Sequence, residues 1–358
     1  MKKLILILFI PLVFNCSSDD TKSKKEKEEK RSIEAGIKIT LDISGNDLNN
    51  AENTVEIINN RIHNFLENYP KVETIENSKA IILKISKNRK NQELSGVDFT
   101  VSEIDRIKYL IETIGQLEFW HTLNGKDFWT FFIEVDYLFQ ARLSNNNKQD
   151  SKLSDIEQLL GSDEDSSQKQ SLLSIINWGE NNPPVVLTTS PSNRKVISDY
   201  LNDEEVKSLL NRYTNEYPKF LWGQPKTNQL GEEYVELYVL KGNQEDEADL
   251  NGSVVVDASQ QFAFDGVTPT VSMQMNSNGA KKWEEMTEIA YNERSQIAIV
   301  LDSIVYSAPG VTNGPISVGR CEISGAFTIT EAQDLANVLK AGKLPVSVKV
   351  VKVEKWNE

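Results

Sequence analysis

The stretch at residues 269–345 constrains the fold more than any other part of the chain. Apolar residues alternate with polar or small ones at 271–275, which is the period of a strand with one buried face. Apolar residues at helical spacing follow at 280–290, and a nearly continuous apolar run at 297–301 indicates a buried strand. Asp302 and Ser303 are predicted to form a tight turn into another short strand. The stretch is therefore predicted to fold as an α+β unit.

The second helix of this unit has marked ends in the sequence. Thr330 and Gln333 have the spacing of a capping box, in which each side chain satisfies a free amide of the first helical turn. Gly342 is predicted to end the helix in a left-handed conformation, and Pro345 prevents its continuation.

The chain from Gly36 onward has the element order β-α-β-β-α-β. Apolar patterns predict these six elements at residues 37–43, 55–66, 72–75, 81–85, 104–114 and 116–120. This order is typical of a ferredoxin-like sandwich, in which two helices cover one face of an antiparallel sheet. Alternation of Val346, Val348 and Val350 predicts a last strand that returns to this base sheet. The predicted fold class is α+β, with a ferredoxin-like (βαββαβ) base and an inserted α+β head.

The region between residues 123 and 250 has a weaker pattern. Aromatic residues at 128–139 indicate a packed helical piece, and residues 145–167, rich in Asn, Ser, Asp and Gln, are predicted to form a mobile loop. Apolar runs at 183–187 and 234–240 indicate further ordered elements. We interpret this middle region as part of the same domain.

The first residues have the pattern of an exported, lipid-anchored protein. Lys2 and Lys3 precede an apolar run at residues 4–14, which is too short to cross a bilayer and is typical of a secretory signal. The sequence LVFNC, which ends at Cys16, resembles a bacterial lipobox. It predicts lipidation of Cys16 and stable membrane anchoring. The alternative is an ordinary signal peptide with an incidental cysteine.

The residues after Cys16 bear on localisation. Residues 21–34 are dense in Lys and Glu, so residues 16–34 are predicted to be a disordered tether. An aspartate directly after a lipidated cysteine favours inner-membrane retention, and this position holds Ser17. The pair Asp19-Asp20 resembles the surface-export signal of Bacteroidota lipoproteins. We therefore expect the outer membrane, on its periplasmic or surface face, rather than the inner membrane.

Several ordered motifs are spread along the chain. They are NNRI at 59–62, GQLEFW at 115–120, VSMQMNSNGAKKW at 271–283, AIVLD at 298–302, VYSAP at 305–309, ISG-x-FT at 323–328 and EAQDLANVLKAGKLP at 331–345. These motifs resemble the first periplasmic (P1) domain of SecD, and more closely the fused SecDF translocase subunits of Bacteroidota. The resemblance implies a ferredoxin-like base with a head inserted into it. The signal and tether patterns assign residues 1–15 to a signal peptide and 16–34 to a tether. Together with the resemblance, the apolar patterns assign 35–122 to the base, 123–250 to the middle region, 251–343 to the head and 344–358 to the return strand.

The resemblance also implies a role in protein export. The family uses a transmembrane bundle to couple the proton gradient to motion of the periplasmic domain, which is thought to hold emerging polypeptide. This chain has no hydrophobic span after residues 4–14, and it lacks the Gly-Gly after the first SecD strand and the VGPSLG-type run. We therefore expect no proton coupling by this chain alone.

No arrangement of residues predicts an enzyme, a cofactor site or a metal site. His63 and His121, the two histidines, have no carboxylates at a spacing typical of metal ligands. Asp302, Ser303 and Ser307 lack the nucleophile elbow and base of a hydrolase, and a hydrolase is kept as the third alternative. Phosphate-loop and dinucleotide motifs are absent from the sequence. Cys321 is predicted to be a buried, inert thiol.

The net charge of −14 disfavours nucleic acid or an acidic membrane surface as partner, because both require basic patches. The predicted function is a lipid-anchored, non-enzymatic envelope protein that binds extended polypeptide or a partner protein. The alternative is an accessory subunit of the Sec translocase at the inner membrane. The predicted polypeptide contacts are Tyr306, Ser307, Ala308 and Pro309, where a peptide could add to a strand edge. The competing interpretation is that Val305 and Tyr306 pack the core of the head.

Overall fold

The computed structural model describes residues 35–43, 48–67, 70–74, 80–86, 99–150, 171–179, 182–214 and 216–357. The expected signal peptide, the lipidation site at Cys16 and the tether lie outside the described residues. The same holds for residues 151–167 of the predicted mobile loop. Residues 145–150 of that loop are helical instead, so its predicted start is wrong.

The described residues form strands and α-helices that alternate along the chain. The strands are β1 (Ala35–Ile43), β2 (Lys71–Thr74), β3 (Ala80–Ser86), β4 (Leu117–His121), β5 (Asn177–Trp178), β6 (Val185–Thr189), β7 (Pro218–Trp222), β8 (Lys226–Thr227), β9 (Glu233–Lys241), β10 (Leu250–Asn251), β11 (Val255–Phe262), β12 (Pro269–Met275), β13 (Ile297–Leu301), β14 (Ile304–Ser307), β15 (Arg320–Ser324) and β16 (Val348–Asn357). The helices are α1 (Leu48–Leu66), α2 (Val101–Glu112), α3 (Trp129–Asp150), α4 (Arg194–Leu201), α5 (Glu204–Tyr213), α6 (Ser277–Glu293) and α7 (Ile329–Ala341). The fold is α+β.

The base is an antiparallel sheet in the order β16-β1-β3-β2, with α1 and α2 packed against it. Alternate residues of β1, among them Ile39 and Leu41, share one core with Ile58 and Ile62 of α1. The return strand β16 pairs with the whole length of β1, from Ala35 opposite Asn357 to Ile43 opposite Val348. The strand order is that of a ferredoxin-like sheet, with a long insertion between α2 and β16.

The prediction that residues 116–120 complete the base sheet is wrong. The strand β4 lies in the head, where it pairs with β10 and β13. Phe119 contributes to the head core and Trp120 faces the opposite side, and both are fully buried. Alternation shows that a segment forms a strand, but it does not show which sheet the strand joins. The distant β16 takes the position next to β1.

The head contains two sheets, in the orders β10-β4-β13-β14 and β11-β12-β15. Helices α6 and α7 share a core with both sheets. Asp302 and Ser303 link β13 to β14 with φ of 49° and 65°, as a type I′ hairpin turn requires, so the predicted tight turn is confirmed. Asn276 caps α6 by accepting a hydrogen bond from the Gly279 amide at 2.8 Å. A Cβ at Gly279 would lie 2.6 Å from the Cβ of Val254, so only glycine fits there.

The capping box of α7 is not the predicted pair Thr330 and Gln333. The helix begins two residues earlier, with Thr328 as N-cap and Glu331 at the third position. The Thr328 hydroxyl accepts a hydrogen bond from the Glu331 amide, and the Glu331 carboxylate accepts one from the Thr328 amide at 2.8 Å. The sequence TITEAQ contains two overlapping pairs with this spacing, which is why the pattern alone selected the wrong one. Gly342 follows α7 with φ of 91° and ψ of 175°, which is not the left-handed helical conformation predicted.

The middle region is an insertion into the head, between β4 and β10. Its sheet has the order β5-β6-β9-β7, and β8 also pairs with β9. One face of this sheet packs on α3, α4 and α5 through a core that includes Phe131 and Phe132. The other face packs on the β4 sheet of the head, where Tyr238 and Leu240 meet Trp120. The middle region is thereby fixed to the head by a continuous buried layer.

Helix α7 belongs to the cores of both the head and the base. Leu335 and Leu339 are buried in the head core, and Val338 is buried among the base residues. Because these residues lie on adjacent faces of one helix, α7 fixes the orientation of the head over α1 and α2.

Candidate functional site

The four predicted polypeptide contacts lie at the end of β14, but they face different parts of the head. Tyr306 is half-buried against the head core and stacks on Phe327, with ring centroids 5.8 Å apart. Ala308 packs instead between the head and middle sheets, and the Ser307 hydroxyl is buried. Pro309 lines a separate cavity of about 790 Å³ under the loop at residues 310–318. Tyr306 alone of the four lines the cleft between the head and the base.

The main-chain edge of β14 is already paired at Val305. Gly223 forms a parallel bridge with Val305, and the Gln224 amide donates to the Val305 carbonyl at 3.2 Å. The strand edge is therefore not open to a peptide at Val305, which is not one of the four predicted contacts, and addition of a peptide at residues 306–309 stays a prediction. Val305 is buried, as the competing interpretation expected. Contact through the Tyr306 side chain stays a prediction.

The cleft next to Tyr306 has a volume of about 570 Å³ and lies between α2 of the base and the first turn of α7. Tyr109 from α2 forms the base wall, and Tyr306 and Phe327 form the head wall. Val101, at the start of α2, lines the cleft and is 77% exposed, so the cleft opens to solvent. Three aromatic rings from two subdomains thus line one open groove.

The two tyrosines line the groove from opposite sides. The Tyr306 side chain lies near those of Tyr109 and Gln224, which come from the base and the middle region. Burial raises the pKa of both tyrosines above the ordinary value. The hydroxyls therefore stay neutral at physiological pH, and each ring presents an apolar face with one polar atom.

An ion pair closes the floor of the cleft. Arg106 of α2 donates two hydrogen bonds to Asp334 of α7, from Nε at 2.8 Å and from Nη2 at 2.6 Å. The guanidinium also lies over the Phe65 ring, 4.3 Å from its centroid. Asp105 and Glu331 line the cleft as well, so its charged lining consists of three carboxylates and one guanidinium.

Beside the cleft, a buried arginine joins the base to the head. Arg61 is fully buried in α1, and it donates to the carbonyls of Leu110 at 2.9 Å, Thr113 at 2.6 Å, Ile114 at 3.2 Å and Gly342 at 2.6 Å. Desolvation lowers the pKa of Arg61 to about 10, which leaves the guanidinium charged. It therefore satisfies the carbonyl ends of α2 and α7 together.

Asp302 completes this junction from the head side. Its carboxylate accepts hydrogen bonds from the amides of Gly115 at 3.2 Å and Gln116 at 2.8 Å. Its own amide donates to the Gln116 carbonyl at 3.0 Å, and Leu344 donates to Ile114 at 2.8 Å. The motifs NNRI, GQLEFW and AIVLD thus meet at one place, although they are far apart in the sequence. The Asp302 carboxylate thus serves there as a hydrogen-bond acceptor for main-chain amides.

The remaining candidate residues do not assemble into a reactive site. Among the described residues, no cluster of His, Cys, Asp and Glu has the arrangement of a metal site. Burial lowers the pKa of His121, and its Nδ1 atom is buried. Cys321 is buried, as predicted, and desolvation raises its pKa to about 12, which keeps the thiol protonated.

Sequence reasoning missed Tyr109, Phe327, Arg106 and Asp334 as cleft residues, as well as the role of Arg61. One signal for Arg61 was available, since a charged residue lies between the core positions Ile58 and Ile62 of an amphipathic helix. No comparable signal exists for the cleft, because its residues come from elements far apart in the sequence; Arg106 and Asp334, for example, are 228 positions apart.

The head is similar to a known family. Residues 234–346 match the family described as SecDF, P1 head subdomain. This segment runs from β9 past α7 and includes Tyr306 and Phe327. The resemblance to SecD inferred from the motifs is confirmed over this segment.

The curated relatives are translocase subunits. Protein translocase subunit SecD of Rhodothermus marinus is 45% identical over 116 residues, which are 32% of this chain and 18% of the relative. SecD of Calditerrivibrio nitroreducens is 43% identical over 114 residues, which are 32% of this chain and 21% of the relative. The aligned segment thus spans about a fifth of the length of these relatives.

A crystal structure of SecDF in a super-membrane-facing form is also similar. It is 20% identical, covers 90% of this chain and 30% of its own chain, and has a TM-score of 0.49. Across the part of this chain that the structure describes, no helix combines the length and apolar character needed to span a bilayer.

Proposed function

We propose that this chain is a lipid-anchored, non-enzymatic protein of the cell envelope that binds extended polypeptide during protein export. The observation that carries the proposal is the aromatic cleft between base and head. An extended polypeptide exposes apolar side chains, which can pack on Tyr109, Tyr306 and Phe327. It also exposes main-chain amides and carbonyls, which can pair with the tyrosine hydroxyls. Such contacts bind many sequences, as a protein that handles exported chains requires.

The charges that line the cleft should favour basic polypeptide segments over acidic ones. Three carboxylates and one guanidinium line it, and Arg106 already neutralises Asp334. The cleft should therefore bind lysine-rich segments more tightly than acidic ones, and this preference should weaken at high salt.

The test is a titration of a permanently unfolded, fluorescent polypeptide into the protein. Tyr306→Ala and Phe327→Ala should weaken binding by about tenfold or more, as expected for aromatic residues at the centre of a binding surface. Ser307→Lys, beside the cleft, should weaken it less. Tyr291→Ala is the matched control, because Tyr291 is an exposed tyrosine of α6 that does not line the cleft.

Circular dichroism establishes that the variants fold. Absence of saturable wild-type binding at tens of micromolar would contradict polypeptide binding, since roughly this affinity is the weakest of use. Equal weakening by Tyr291→Ala would contradict the assignment to the cleft.

Anchoring through Cys16 forms the second part of the proposal, with the outer membrane as the favoured location. It rests on the lipobox-like LVFNC and on Ser17 and Asp19-Asp20. Cys16→Ser should release the protein from the membrane fraction and abolish labelling by fatty-acid analogues. Separation of the two membranes on a density gradient tests the location, and protease treatment of intact cells tests surface exposure.

The alternative function is an accessory subunit of the Sec translocase at the inner membrane. It is favoured by the match of residues 234–346 to proteins named as translocase subunits. Co-purification with the translocase after crosslinking, together with fractionation in the inner membrane, would favour this alternative over an independent polypeptide binder.

A further inference from the structure

The hairpin between β11 and β12 ends in an exposed apolar tip at residues 262–267. Phe264 is 110% exposed, Val267 76% and Phe262 47%. These are three large apolar side chains within six residues, and they lie apart from the cleft and from the junction at Arg61. Burial in the head does not account for them, since they project away from it.

The tip is ordered by its own hydrogen bonds. The Ala263 amide donates to the Thr268 carbonyl at 2.8 Å, and the Gly266 amide donates to the Ala263 carbonyl at 2.8 Å. The Asp265 carboxylate accepts from the amides of Val267 and Thr268, each at 2.9 Å, and from the Thr268 hydroxyl. The polar groups of the turn are thus largely satisfied internally, while the side chains point outward. The turn could therefore contact a surface of low polarity without leaving its amides, carbonyls and the Asp265 carboxylate unpaired.

The apolar area of the tip distinguishes between a protein partner and a lipid bilayer as the surface that it contacts. Because Phe262 is already about half-buried, the three side chains can bury only roughly 400 Å² more. A stable protein interface requires about 800 Å² from each partner. Shallow insertion into the boundary between lipid headgroups and acyl chains needs no such area, because a few apolar side chains suffice. The strand residues behind the tip, Ser259, Gln260 and Gln261, are polar but uncharged and suit the headgroup layer.

We propose that the 262–267 tip contacts a lipid bilayer, with Phe264 and Val267 inserted at the level of the headgroups. Asp265, the only charged residue at positions 258–272, limits the depth of insertion. No Lys or Arg lies in this stretch, and the whole chain carries a charge of −14. The surface recognised is therefore zwitterionic phospholipid rather than anionic lipid. This contact does not depend on polypeptide binding by the cleft.

The experiment places a fluorescent reporter at the tip of the full chain. Phe264→Trp adds an indole at the proposed contact, and Leu230→Trp adds one at the matched control. Leu230 is 83% exposed in the turn between β8 and β9, so it is an equally exposed apolar residue on a different hairpin. Phosphatidylcholine vesicles with brominated acyl chains quench only indoles that reach the lipid. The emission of the wild-type protein comes from the native tryptophans and is the baseline that is subtracted from each variant.

The expected result is loss of most of the emission added by Phe264→Trp and none of that added by Leu230→Trp. Adding phosphatidylglycerol to the vesicles should reduce the quenching, and high salt should restore it. Absence of quenching for Phe264→Trp, or equal quenching for both variants, would overturn the proposal. A wild-type dimer that Phe264→Ser converts to monomer in sedimentation would overturn it as well, because a second copy would then cover the tip.

Discussion

Replacement of Arg61 by methionine should destabilise the protein more than any substitution of an exposed arginine. Methionine keeps an unbranched apolar side chain among the buried neighbours but removes the guanidinium. The carbonyls of Leu110, Thr113, Ile114 and Gly342 then lose a donor. These carbonyls lie at the ends of α2 and α7, so the loss weakens the connection between base and head.

The magnitude follows from two opposing contributions. The Ile114 carbonyl keeps the hydrogen bond from the Leu344 amide, so the loss falls on the other three carbonyls. A carbonyl left unpaired in a buried site costs about 1–3 kcal/mol. The loss is partly offset, because folding no longer has to desolvate the guanidinium of Arg61, which costs several kcal/mol. We expect a net decrease in the free energy of unfolding of about 3–5 kcal/mol. Arg61→Lys should fall between this value and the wild type, because one ammonium group cannot reach acceptors on two helix ends at once.

Urea denaturation measures these changes, and Arg142→Met is the matched control. Arg142 makes two hydrogen bonds to the Asp203 carboxylate and one to Glu205, but its side chain is 38% exposed. Loss of this surface pair should cost less than about 1 kcal/mol. If Arg61→Met costs no more than Arg142→Met, the buried network contributes no more to stability than a surface ion pair, and the reasoning is refuted.

Three further predictions concern other parts of the fold. Deletion of residues 344–358 should lower stability by several kcal/mol and reduce the melting temperature, because β16 pairs with all of β1; an unchanged melting temperature would contradict this role. Thr328→Ala should lower the free energy of unfolding by about 1 kcal/mol in thermal or urea denaturation, and substitution of the exposed Thr330 by alanine should lower it much less. The reverse order would support the Thr330–Gln333 capping box that the sequence predicts. Because burial raises the pKa of Cys321 from 9.0 to about 12, its contribution to stability is complete below about pH 9 and is lost as the pH rises towards 12. Rapid alkylation of this thiol in the folded protein at pH 8 would contradict its burial.

The local elements of this chain could be predicted from the sequence. The turn at Asp302 and Ser303, the strands at both ends of the base and the helices around Trp283 and Leu335 follow from periodicity and turn chemistry. Motif order also identified the SecD resemblance that the match at residues 234–346 confirms. These features depend on neighbours within a few positions along the chain, which is the range over which sequence patterns carry information.

The candidate site could be predicted only in part. VYSAP pointed to Tyr306, but the groove also needs Tyr109 from the base and Phe327 from the head. The sequence pattern likewise did not show that Gly223 and Gln224 would pair with β14 at Val305. The side chains that line the groove come from separate elements, so their proximity is a property of the packed structure.

The sequence by itself determined that the fold is α+β and where most elements of the base and head lie, but it did not determine the helices and strands of the middle region. Only the tertiary structure decided that β4 joins the head while β16 closes the base, because an apolar strand pattern does not specify the strand with which it pairs. The choice depends on which long-range pairing buries both faces of a strand, and β4, with Phe119 and Trp120 fully buried on opposite sides, can be satisfied only between two packed layers. Arg61 shows the same principle, since a charged residue in an apolar helix face becomes stabilising only when the ends of two other helices supply its acceptors.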